Sequence, residues 1–179
     1  YAKILQSERK KVASSLEKRM IKELSTLNLK NTKYEIRFFE KSFSDSGIDE
    51  ISFFISFNTG EEPKPFHKIA SGGEISRFML ALKNIISTTD EIDTMIFDEI
   101  DTGVSGKIAQ KMALIMQEMG NNNRQVISIT HLPQIAALGS SHYKVEKEET
   151  AEGTRSHMRE LTQEQRVTEI AQMLSGADI

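Results

Sequence analysis

The spacing of apolar side chains changes along the first half of the chain, and each change predicts a different element. In residues 4–27, apolar positions recur mostly three, four or seven apart with no Gly or Pro, which predicts an amphipathic helix. In residues 34–57, alternate positions are apolar on both sides of a turn-rich segment, which predicts two antiparallel strands. Residues 58–69 predict a loop, and a largely apolar helix is expected from about residue 75 to residue 87.

The second half begins with the pattern of a βαβ unit. Short apolar runs at 94–97 and 125–130 flank a helical segment with an apolar stripe, which predicts two parallel strands in a buried sheet. The stripe comprises Ile108, Met112, Ile115 and Met119. Asp98 and Glu99 follow the first run and His131 follows the second. Ligands bind at the carboxyl ends of parallel strands, so these side chains are expected to share one site.

The last forty residues predict a hairpin and a helix. Residues 143–147 and 157–161 flank a polar turn around Gly153, which is typical of two paired strands. The final helix has an apolar side and ends before Gly176. That side comprises Val167, Ile170, Ala171 and Leu174.

Composition narrows the class of protein. The 179 residues are 38% hydrophobic, contain no Cys and carry a net charge of −3, which does not favour a domain that grips nucleic acid by itself. No apolar run is long enough for a membrane span or a signal peptide, so a cytoplasmic location is expected. Residues 1–24 hold seven basic and three acidic side chains; a solvated helix face is the favoured interpretation and DNA contact is the alternative. A start at Tyr1 within a helical pattern suggests a piece of a longer protein.

Two motifs suggest phosphate chemistry. Ser71, Gly72 and Gly73 at the start of a helix offer a hydroxyl and unhindered backbone N–H groups for a phosphate, although such a string is also an ordinary N-cap and turn. Asp98 and Glu99 leave a strand in different directions, so one can serve Mg²⁺ and the other the attacking water; an acidic loop is the alternative.

Two further residues are candidates with common structural alternatives. A neutral imidazole carries one N–H, so His131 is able to donate a hydrogen bond to a terminal phosphate, but a histidine after a strand is often structural. Asp101 precedes Gly103 and Gly106 and is explained equally well by turn chemistry.

The order of these motifs along the chain resembles that in the nucleotide-binding fold of ABC ATPases. Their amino-acid sequences resemble those of the RecN family of SMC-like DNA-repair proteins. The matching strings are IASGGEISRF (69–78), FDEIDTGVSG (97–106) and ITHLPQ (129–134). The resemblance covers essentially the whole chain. It implies a signature motif at Ser71, Gly72, Gly73 and Glu74, a Walker B residue at Asp98 that binds Mg²⁺ through water, a catalytic glutamate at Glu99, a D-loop residue at Asp101 and a switch histidine at His131.

The fold that the resemblance implies is α/β. It is the C-terminal lobe of an ABC-type P-loop ATPase head, with a parallel sheet core flanked by helices, after a coiled-coil arm helix and an antiparallel β segment. Residues 1–30 are expected to end the arm and residues 31–179 to form the lobe. No G-x-x-x-x-G-K-[ST] occurs, so the Walker A loop is expected in an N-terminal lobe, and this chain alone is expected to lack ATPase activity.

The resemblance further implies two heads that sandwich ATP, with the signature motif and Asp101 acting across the dimer. The cycle of ATP and Mg²⁺ would be coupled to double-strand-break repair and recombination on DNA, in the cytoplasm at the nucleoid and without a membrane. Two alternatives stay open. One is an architectural SMC-like head without turnover, and the other is the nucleotide-binding subunit of a transporter.

Overall fold

The computed structural model describes residues 1–69, 72–87, 92–104, 106–122, 124–150 and 153–176. The chain forms two compact units, Tyr1–Ile92 and Asp93–Ile179. No helix in these described ranges is both long and apolar enough to cross a membrane.

The first unit is an antiparallel sheet with two helices. Its elements are α1 (Ala2–Thr26), β1 (Lys33–Ser44), β2 (Gly47–Ser56), β3 (Lys64–Pro65), a 3-10 turn (Phe66–Lys68) and α2 (Gly72–Ser87). The strand order is β1-β2-β3, and β1 and β2 pair antiparallel as predicted. The predicted loop at 58–69 contains the two-residue strand β3 and the 3-10 turn, both too short to leave a periodic pattern.

Helix α1 contributes its C-terminal half to the core of this unit. Met20 and Leu24 are fully buried, whereas Ile4 and Val12 in the N-terminal half are 65% and 64% exposed. The helix is tied to the strands by polar contacts. Glu17 accepts a hydrogen bond from the backbone N–H of Ile36 in the edge strand β1 at 2.6 Å.

Two of the basic side chains of α1 make contacts within the first unit. Arg9 Nη1 lies 3.5 Å from the buried carboxylate of Asp49 and donates to the Ser46 carbonyl oxygen at 2.8 Å. Arg19 donates to the carbonyl oxygen of Ile85 in α2 at 3.3 Å. These contacts favour the structural interpretation of the basic segment for both arginines.

The second unit contains the parallel pair of strands and a C-terminal hairpin. Its elements are β4 (Thr94–Asp98), α3 (Gly106–Asn121), β5 (Gln125–Ile129), α4 (Pro133–Ala136), β6 (Tyr143–Thr150), β7 (Gly153–Glu160) and α5 (Gln163–Ser175). Strands β4 and β5 pair in parallel, and β6 and β7 form the predicted hairpin. Helix α5 begins with a capping box at Thr162 and ends at Gly176, whose φ of 66° is left-handed.

Helix α3 buries a different stripe from the predicted one. Met112 and Met119 are buried as expected, but the rest of the buried face is formed by Ala109, Ala113 and Met116. Ile108 and Ile115 are only half-buried. The small alanines therefore occupy the buried face, and the large isoleucines lie at its margin.

Candidate nucleotide-hydrolysis site

The parallel register of β4 and β5 brings the predicted acidic residues and the histidine to one edge of the sheet. Asp98 pairs with Ile129, and the backbone N–H of Glu99 donates to the Ile129 carbonyl oxygen at 3.1 Å. His131 follows two residues later and lies 3.6 Å, Nδ1 to Oδ1, from Asp101. The convergence expected of two parallel strand ends is therefore present.

The chain turns sharply at Glu99. Its φ of 47° lies in the left-handed region, which is uncommon for a side chain of this kind. The turn is held because the Glu99 carbonyl oxygen accepts from both the backbone N–H and the hydroxyl of Thr102, at 3.2 and 2.9 Å. Asp98 and Glu99 are both exposed, so the carboxylates of two consecutive residues remain open to a ligand. Strained backbone of this kind is often found at functional sites.

Asp101 is the buried acidic residue of this turn. Its side chain has no exposed surface, and one carboxylate oxygen accepts a hydrogen bond from the hydroxyl of Thr130. The oxygen of the same hydroxyl accepts a hydrogen bond from the backbone N–H of Leu132 at 3.0 Å. In this single chain the enclosed side chain contacts residues of the next strand end.

The predicted signature motif begins helix α2 in the first unit. Ser71 lies outside the described residues. Gly72 is exposed, and, apart from its chain neighbours and the nearby backbone of its own helix, no atom of the described residues lies within 4 Å of the position that a Cβ would occupy. Glu74 is the acidic residue of this first turn. The open glycine leaves backbone N–H groups accessible to an anion.

Arg77 reinforces the start of α2. Its guanidinium donates to the carbonyl oxygen of Gly73 at 2.9 Å and to that of Leu27, next to the end of α1, at 3.3 Å. Burial lowers the pKa of Arg77, and the charge of Glu74 acts in the opposite direction. The guanidinium stays charged because its ordinary pKa is far above neutrality. Arg77 is thus engaged by two carbonyl groups of its own unit.

Sequence reasoning assigned no role to Thr130 or to the internal contacts of Arg77. A threonine before a histidine at a strand end is too common to indicate a role. The role of Thr130 becomes clear only from the structure, in which its hydroxyl donates a hydrogen bond to Asp101. One carbonyl partner of Arg77 lies four residues earlier in α2, and the other, 50 residues away in sequence, lies just after α1, so no local motif predicts the pair.

One face of the β4–β5 sheet is uncovered. Met95 and Phe97 are buried, but on the opposite face Ile96, Ile127 and Ile129 are 60%, 41% and 53% exposed. The expectation of a buried sheet is thus met on one face only. Parallel sheets are normally covered on both faces, so the exposure of these isoleucines beside Asp98 is unusual.

The exposed carboxylates of Asp98 and Glu99 are able to contribute to a Mg²⁺ site that a bound nucleotide completes. Among the described residues there is no group of three His, Cys, Asp or Glu side chains that could hold a metal ion. Mg²⁺ in nucleotide sites takes one or two carboxylates and completes its octahedron with waters and phosphate oxygens. The exposed Asp98 carboxylate at the end of β4 is suited to be such a carboxylate.

Comparison with solved structures defines the class of fold. The chain resembles SMC head domains, including one with a coiled coil and joint derived from Pyrococcus yayanosii. That match has a TM-score of 0.68 and 18% identity, and it covers 93% of this chain and 31% of the other. A chain from a study of ATP-driven dimerisation and DNA-stimulated activation of SMC ATPases matches with a TM-score of 0.60 and 14% identity over 94% of this chain and 96% of the other. The fold is that of part of an SMC-type head.

Comparison with curated sequences is more specific. The chain is 40% identical over 176 residues to the DNA repair protein RecN of Halalkalibacterium halodurans, which covers 96% of this chain and 31% of that protein. It is 47% identical over 130 residues to RecN of Treponema pallidum, covering 73% and 22%. RecN of Haemophilus influenzae is 34% identical over 180 residues, covering 99% and 32%. No protein-family model matches the chain.

The chain accordingly belongs to the RecN family, as the motif wording predicts. It spans 31%, 22% and 32% of the lengths of these three relatives.

Proposed function

We propose that the chain is the C-terminal half of a RecN-like ATPase head, in which ATP turnover drives work on broken DNA. The observation that carries the proposal is the register of β4 and β5, which gathers Asp98, Glu99 and His131 at one sheet edge. The similarity to RecN over nearly the whole chain supports the same assignment. Residues 1–30 would end a coiled-coil arm, and the exposed Ile4 and Val12 of α1 suit a partner helix.

Each acidic residue has a distinct part in the proposed reaction. Asp98 would hold a water of Mg²⁺, whose charge offsets that of the phosphates when it is bound. Glu99, turned away by its left-handed backbone, would orient the attacking water and accept its proton. His131 would contact the water or the terminal phosphate from the neighbouring strand end.

The signature motif would act on a nucleotide held by a second head. Ser71 and the backbone N–H groups of Gly72 and Gly73 would bind the terminal phosphate, assisted by the positive end of α2. Glu74 would complete the motif, where its charge acts on Arg77. ATP would therefore join two heads, and its hydrolysis would release them.

The chain by itself lacks the part of the site that cradles the β-phosphate. A phosphate loop and its Lys are absent from the sequence, so the partner would be the N-terminal Walker A lobe of the same protein. The uncovered isoleucines beside Asp98 suit that partner, since burying them would complete the sheet. The assembled protein would act on DNA in the cytoplasm, at the nucleoid.

The test is ATP turnover after this chain is mixed with the separately purified N-terminal lobe. The proposal expects no turnover from the chain alone, turnover on mixing, and its loss in the Glu99→Gln variant at unchanged association. Turnover by the chain alone, or association of folded lobes with no turnover, would overturn it. The second result would favour an architectural head.

A further inference from the structure

Only one of the two carboxylate oxygens of Asp101 accepts a hydrogen bond from the described residues. Oδ2 accepts the hydroxyl of Thr130, whereas Oδ1 is buried and has no hydrogen-bond partner among the described residues. A buried acceptor without a partner is destabilising, and more so when the group is charged, so a donor is expected nearby.

The nearest ring nitrogen is Nδ1 of His131, which lies 3.6 Å from this free oxygen. That separation is longer than a hydrogen bond, but the side chain of His131 is 66% exposed and therefore has room to rotate toward Asp101. The backbone on each side of the ring is already fixed, because Thr130 bonds both to Asp101 and to the N–H of Leu132.

We propose that Asp101 is a positioning residue for His131, which holds the imidazole with its Nδ1–H directed at the buried carboxylate and its Nε2 presented to the ligand. The carboxylate accepts hydrogen bonds only, so the nitrogen that faces it carries the proton. Thr130 acts as the second support, through the backbone rather than through the ring.

The orientation decides what His131 does in the neutral state. A neutral imidazole with its proton on Nδ1 has a bare Nε2, which accepts a hydrogen bond and cannot donate one. His131 would then accept a hydrogen bond from a water molecule, rather than donate one to a terminal phosphate as the sequence suggests. This consequence rests on the proposed ATPase function, whereas the proton position itself does not.

The first test measures the nitrogen-15 chemical shifts of the imidazole rings in the folded chain, about two pH units above the ordinary histidine pKa of about 6.5. A His131→Gln spectrum assigns the resonances. The proposal expects a protonated Nδ1 in His131 of the unmodified chain and in Thr130→Val. In Asp101→Ala it expects a shift toward a protonated Nε2, with His67 and His157 unchanged as internal controls. A protonated Nε2 in the unmodified chain overturns the proposal whether or not the variants fold.

The second test uses ATP turnover by the full-length protein that contains this chain. If Asp101 acts through His131, the double variant Asp101→Ala/His131→Gln should stay within about twofold of His131→Gln alone, because groups that act as a unit are not additive. Losses that multiply would refute that coupling. If the unmodified full-length protein shows no turnover, the proposed function is wrong. The nitrogen-15 spectra of the imidazole rings would still decide the role of Asp101.

Discussion

The bare face of the β4–β5 sheet allows a substitution that should leave the isolated chain intact and weaken its assembly. Ile96 is 60% exposed and lies beside Asp98 on the uncovered face. Replacing it with Ser removes only the burial of the remaining two-fifths of the side chain, so the free energy of unfolding of the chain should fall by about 0.6–1.2 kcal/mol. Urea unfolding followed by circular dichroism measures this change.

The effect on assembly follows from the area still to be covered. Complete burial of an isoleucine side chain is worth about 1.5–3 kcal/mol, and somewhat more than half of Ile96 remains to be buried, so the loss should be about 1–2 kcal/mol. The Kd for the N-terminal lobe should therefore rise by about 5- to 30-fold. Isothermal titration calorimetry of the two purified lobes measures it.

A matched control separates this face from other exposed apolar surface. Val145 on β6 is 63% exposed in the same unit, so Val145→Ser should lower the stability by a similar small amount and leave the Kd unchanged. The reasoning is refuted if Ile96→Ser leaves the Kd unchanged. It is refuted equally if the variant destabilises the isolated chain by more than about 2 kcal/mol, the range expected of a covered core position.

Three further predictions concern the second unit alone. Met112→Ala, at a fully buried position of α3, should lower the free energy of unfolding by about 2–5 kcal/mol in urea denaturation. Thr162→Ala removes the capping box of α5 and should cost about 1 kcal/mol by the same assay, with Thr162→Ser retaining most of it. Burial chiefly lowers the pKa of His142. The unfolded chain then binds more protons below about pH 6.5, so stability falls as the pH drops through that value, and His142→Gln should show a shallower fall in melting temperature.

Periodic patterns predicted the helices and paired strands because their side chains repeat at the spacing of a buried face. The parallel pairing of β4 and β5 followed from the length of the crossover between them, and it brings Asp98 and His131 to one edge. The short helix α4 was missed, since four residues give no period.

Contacts between residues that lie far apart in the sequence could not be predicted. The burial of Asp101 depends on Thr130, which belongs to the next strand end. The exposure of Ile96 was likewise unexpected, because its sequence is that of a strand covered on both faces and the cover is absent from the described chain.

The most direct test of a composite ATPase site is complementation between two inactive full-length proteins. One carries Glu99→Gln. The other carries Gly72→Asp, which has room for a side chain and places a negative charge where the terminal phosphate would bind. Gly120→Asp, at another glycine with open space, controls for the added charge.

Each variant alone should be nearly inactive, and the Gly120→Asp control should be active. In an equal mixture, half of the symmetric dimers become mixed and each mixed dimer has one intact site, so about a quarter of normal turnover should return. An equal mixture that forms mixed dimers but stays inactive would contradict the account.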